Sequence, residues 1–94
     1  MEKQEFKEKA KKNIDELFSK IEELEQKKEK ASAETKARYN KMIADVKILQ
    51  KDLQAKYMAF ENASSENWEE KKKVLNSSLE SFKEGFARLS AIFK

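Results

Sequence analysis

The residues able to do chemistry here are carboxylates, lysines and hydroxyls, and their spacing gives none of them a catalytic partner. The chain has no His and no Cys. That removes imidazole bases, thiol nucleophiles, disulfides and the usual zinc ligands. The densest acidic cluster is Glu22, Glu23 and Glu25. A dinuclear metal bundle needs inward Glu residues together with a Glu-x-x-His motif, which a His-free chain lacks. Ser64, Ser65, Ser77 and Ser78 have no His to activate them, and no spacing marks a Ser–Lys pair. The single Gly, Gly85, leaves no Gly-rich loop to cradle a phosphate. The expectation is therefore a protein without catalytic residue, cofactor or metal ligand.

Binding chemistry is better represented. The pure basic run is Lys71-Lys72-Lys73, preceded at once by Glu69 and Glu70. Acids so close make it a solvated helix face rather than a phosphate-binding patch. Trp68 is the one Trp, and Tyr57 and Phe60 stand shortly before it. Aromatics dominate protein-binding hot spots, but helical spacing puts Trp68 on the same stripe as Leu75 and Leu79. The core reading is favoured: Trp68 closes one end of the molecule in an aromatic cluster.

The elements that would position these side chains are legible in the apolar period. Steps of three and four join Phe6, Ala10, Ile14, Leu17, Ile21 and Leu24, with Phe18 widening the stripe. A second series is Tyr39, Met42, Val46, Leu49, Leu53, Tyr57 and Phe60, flanked by Ile43. A third is Trp68, Leu75, Leu79, Phe82, Phe86, Leu89 and Phe93, with Ile92 beside the last. Lys, Glu, Gln and Ala fill the intervals, all good helix formers. The chain has 94 residues, no Pro and one Gly, so an all-β or α/β fold is excluded and one small domain is expected.

Two interruptions divide the pattern. Asn62-Ala63-Ser64-Ser65-Glu66-Asn67 predicts a turn, with Ser64 or Ser65 capping the next helix and Glu66, Glu69 and Glu70 near its first turn. Lys30-Ala31-Ser32-Ala33-Glu34-Thr35 is weaker, with Ser32 as N-cap after a helix end rich in Lys. With both turns, helices over about 3–29, 33–62 and 66–93 form an antiparallel up-down-up three-helix bundle. With the second turn alone, a long helix over about 3–62 folds against 66–93, and that hairpin must dimerise to cover its stripe. The three-helix bundle is the favoured reading.

Charge is mixed throughout. Twenty-one bases against 18 acids make 41% of the chain charged, for a net +3. Eight acid-before-base pairs sit four residues apart, from Glu5 and Lys9 to Glu84 and Arg88, and each steadies a solvated helix face. No apolar run nears the length of a membrane span, and residues 1–13 lack a signal-like apolar stretch, so a cytoplasmic location is expected.

Residues 30–94 resemble small bacterial helical coiled-coil proteins filed as stress-response proteins. The resemblance rests on Ala37-Arg38-Tyr39 leading into Leu49 and Leu53, on Ala63-Ser64-Ser65 with Trp68-Glu69-Glu70, and on Phe82-Lys83-Glu84-Gly85-Phe86 with the terminal Phe93-Lys94. Such proteins often carry Gly or Asp after the Ser of that turn, where this chain has Ser65-Glu66. The resemblance implies a cytoplasmic helical protein linked to stress, and it brings no catalytic residue.

The functional expectation is self-association or protein binding through apolar surface at Phe82, Phe86 and Phe93, with Trp68 as a further candidate. The next alternative is a membrane surface, bound by the amphipathic last helix. Nucleic-acid association through the Lys runs ranks last, and no small-molecule substrate is evident.

Overall fold

The computed structural model describes residues 2–93; Lys94, which the resemblance invoked, lies outside them. Three helices follow in order: α1 (Glu2–Glu29), α2 (Ala33–Glu61) and α3 (Trp68–Ala91). The described residues contain no strand. The start of α1 packs on the end of α2, Phe6 against Phe60, and the start of α2 packs on the end of α3, Tyr39 against Phe93. Neighbouring helices are therefore antiparallel, and the bundle is the up-down-up form. Its axes measure 51 × 18 × 17 Å.

The break between α1 and α2 is real, so the long-hairpin alternative falls. It needs no Gly, because hydrogen bonds make it. The Lys30 and Ala31 amides donate to the carbonyls of Lys27 and Lys28, tightening the last turn of α1. Ser32 then adopts extended backbone, and its hydroxyl accepts the Thr35 amide at 3.2 Å. That satisfies one amide orphaned at the start of α2.

The second turn departs from expectation. Neither Ser64 nor Ser65 caps α3 through its side chain, and the helix begins at Trp68 rather than at residue 66. The main-chain carbonyl of Ser64 instead accepts the amides of Asn67 and Trp68, both at 3.1 Å. The chain already curls helically before α3, with Asn67 in the helical region of φ and ψ. The backbone thus performs the task assigned to a hydroxyl. Glu69 and Glu70 do fall in the first turn, where the helix dipole favours them.

Burial follows a seven-residue step. In α2, Tyr39, Val46, Leu53 and Phe60 are all buried. In α3 the same step joins the half-buried Trp68 to the fully buried Leu75, Phe82 and Leu89. A strict seven-residue repeat keeps one face turned to its neighbours along a whole helix. Ala10, Ile14, Ile21 and Leu24 complete the core from α1.

The three seams are unequal. α2 and α3 lie closest together, and α1 stands farther from both. Small residues explain the difference. A Cβ on Gly85 would come 2.7 Å from Leu49 Cδ1, so the missing side chain lets α2 press against α3 there. One heptad earlier, buried Ser78 donates its hydroxyl to Asp52 at 2.8 Å across the same seam. α1 makes its contacts through longer side chains, with the Phe18 ring edge-on to Phe82 at 5.7 Å.

Candidate interaction surface

The four residues singled out from sequence occupy two different environments. Phe82 is fully buried, so it belongs to the core and offers nothing to a partner of the closed bundle. Phe86 and Phe93 are half-buried and pack against that core. Trp68 is also half-buried, edge-on to Phe60 at 6.5 Å. Phe60 in turn meets Phe6 at 5.1 Å, so an aromatic cluster does close one end of the bundle, as its spacing predicted. Tyr57, expected in that cluster, faces the α1–α2 groove instead.

Lysines cover the cluster. The Lys72 ammonium lies 5.0 Å from the Phe6 ring centre and 5.8 Å from that of Trp68. The Lys3 ammonium donates to the Ala63 carbonyl at 2.7 Å and stands over Phe60. Cations over ring faces are held by the quadrupole while the stem shields apolar surface. The middle member of the basic run is thus engaged within the bundle, leaving Lys71 and Lys73 exposed.

The last helix does not present its apolar face. Leu75, Leu79, Phe82 and Leu89 are spent on the core. Lipid binding by this helix would require the bundle to open. No helix among the described residues is long and apolar enough to cross a membrane. The described residues also hold no cluster of acids arranged for a metal ion.

The surface that stands out lies elsewhere. Between the middle of α1 and the last turns of α2 runs an open groove of about 450 Å³. Ile14, Phe18, Tyr57 and Met58 give it apolar walls, and Lys11, Asp15 and Gln54 form its rim. Met58 is 58% exposed, a large apolar side chain with little protein cover. Methionine is flexible and polarizable, and is over-used where surfaces adapt to partners. At the groove's end the Lys7 ammonium pairs with Glu61 at 3.1 Å. Burial pushes the Tyr57 hydroxyl above the ordinary tyrosine pKa; Glu61 and Asp15 add to this, and Lys7 opposes it. Tyr57 is therefore a neutral hydrogen-bonding tip on an apolar wall at physiological pH.

Sequence reading followed the stripes, which hold Ile14, Phe18 and Tyr57 but leave out Met58, the exposed edge of the groove. Among the described residues Met58, Ile48 and Val74 are the exposed large apolar ones, and none lies on the buried stripe of its helix. Apolar residues off the stripe are the signal that would have found them. A groove of this kind also needs two helices at a set spacing, which a stripe alone does not give. Comparison with known proteins finds no matching protein family, no similar curated protein and no similar solved structure.

Proposed function

We propose that the chain is a non-enzymatic helical protein that acts by self-association or by binding another protein. The observation that carries this reading is the apolar α1–α2 groove with Met58 exposed at its edge. A flexible, exposed Met beside a groove with apolar walls and a polar rim offers a small adaptable contact surface. The rim carries both charges, Lys11 and Asp15, which favours a protein surface over a uniformly anionic nucleic acid or lipid face. The contact region thereby moves from the Phe82, Phe86 and Phe93 end of α3 to the groove.

A photo-crosslinking residue at position 58, introduced in cells, tests this reading. Adducts should form at position 58 and be absent when the same group replaces the exposed Lys12. Equal yields from both positions would sink it. The resemblance of residues 30–94 supports a link to stress. Adduct yield at position 58 should then rise in stressed cells, and an unchanged yield removes that part alone.

A further inference from the structure

We infer that the groove's occupant is a second copy of this chain, docked about a two-fold axis that sets the two α1 helices antiparallel. This rests on the protein-binding reading and deepens it by naming the partner. Three observations carry it.

The first is the shape of the chain. A folded monomer of 11.0 kDa exposes about 5,600 Å². This chain exposes 6635 Å². The surplus, roughly 1,000 Å² over the whole chain, reflects an elongated shape. Its radius of gyration is 15.3 Å, where a compact chain of this length has about 12 Å. The excess is thus spread along a rod, whose long sides suit lateral pairing.

The second is the charge on the groove. Lys7 and Glu61 neutralise one another at its end. Lys11 and Asp15 balance each other on the rim, and among the described residues neither is ion-paired. A groove with no net charge gains nothing from a polyanion or an anionic membrane. It does not repel its own copy.

The third is the order of those charges. Lys11 and Asp15 are one helical turn apart and both exposed. An isologous contact pairs residue i with j and j with i. In an antiparallel pair of α1 helices centred near Asn13, each Lys11 meets the other copy's Asp15. Two ion pairs then form at once, while exposed Met58 and the half-buried wall at Phe18 lose their water. One surface is complementary to itself in this register.

The test is the mass in solution, by light scattering after size exclusion over a concentration series, on the full chain. The mass should climb from 11.0 kDa toward twice that value. Lys11→Asp alone and Asp15→Lys alone should each weaken association more than about tenfold, because each sets two like charges face to face. Mixing the two variants should restore it as a heterodimer, since every contact is then unlike. Lys12→Asp, on a different face of α1, should leave it unchanged. Retained helical circular dichroism in each variant keeps folding out of the result. A chain that stays monomeric, or associates without regard to Lys11 and Asp15, overturns the inference. If position 58 then crosslinks to a different protein, the protein-binding reading stands and only the choice of partner falls. If it crosslinks to nothing, both fall.

Discussion

The α2–α3 seam and the α1 layer are built on different principles within one small bundle. Across the first, small residues bring two backbones together: Gly85 against Leu49, and Ser78 hydrogen-bonded to Asp52. Across the second, long side chains reach over a wider gap: Phe6 to Phe60, Phe18 to Phe82, Lys7 to Glu61. Close backbones leave few voids, so atoms on both sides keep their dispersion partners. Wider spacing leaves grooves, and the apolar one lies along α1. The layer that packs less closely is thus also the one with surface to offer. Compactness and binding are assigned to different seams.

The comparison breaks first at Phe82, the ring shared by both regions. Phe82→Ala removes a fully buried ring and should cost about 3–5 kcal/mol in urea titrations followed by circular dichroism. Phe18→Ala, at the half-buried partner ring on α1, should cost clearly less. Equal losses would mean that α1 is as tightly held as α3.

Gly85 sharpens the contrast. Gly85→Leu drives a branched side chain toward Leu49 and Val46 and should cost about 1–3 kcal/mol by overpacking. Gly85→Ala should fall within about 1 kcal/mol of the parent, because two terms oppose. Alanine gains roughly 1 kcal/mol of helix propensity over glycine. Against that, its Cβ meets the tip of the Leu49 side chain, which can turn aside. If both variants are neutral in thermal melts, the close approach of α2 and α3 does not depend on the missing side chain.

The same contrast explains what was legible in advance. The three helices, their antiparallel order and the aromatic end follow from the stripes at Tyr39 to Phe60 and Trp68 to Phe93. Those stripes obey the helical period, which is local information. The α2–α3 approach was not legible. A lone Gly in a helical stripe is equally consistent with a bend, a close contact or an accident, and only Leu49 beside it selects the close contact. The eight predicted i,i+4 ion pairs illustrate the other limit. Among the described residues only Glu34–Arg38 and Asp52–Lys56 close. Spacing permits such a pair, but solvation and side-chain entropy decide whether it closes. Lys7–Glu61, between helices, has no signature in one sequence.

Ser32 tests how firmly α1 is separated from α2. Its hydroxyl is the one side-chain cap among the described helix starts, and Ser32→Ala should cost about 1 kcal/mol by denaturant titration. All neighbouring residues tolerate a helix, so the variant also favours continuation of α1 into α2. A loss above about 2 kcal/mol would exceed the range of a lone cap and show that the break itself depends on this hydroxyl.

The smallest effect is expected at Tyr39, where the two regions meet. Its ring is buried against Phe93, just past the end of α3, and the Lys28 ammonium of α1 stands 5.2 Å from the ring centre. Among the described residues nothing hydrogen-bonds its hydroxyl. A buried hydroxyl without a partner costs free energy, so Tyr39→Phe should stabilise the bundle, by up to about 1 kcal/mol. The pH dependence gives a second reading of the same group. Burial first, and then the charge of Glu25, push the Tyr39 hydroxyl up from 10.0 to about 12. Above pH 10 the unfolded chain releases this proton while the folded chain retains it. Stability from this site is therefore intact below pH 10 and is lost as pH rises toward 12. In urea titrations between pH 9 and pH 12, the Tyr39→Phe variant should lose less stability than the parent. Tyr57, also shifted upward, contributes to what remains. An identical decline in both proteins would mean that Tyr39 reaches water in solution, and that the contact joining α1 to the α2–α3 pair at this end is open.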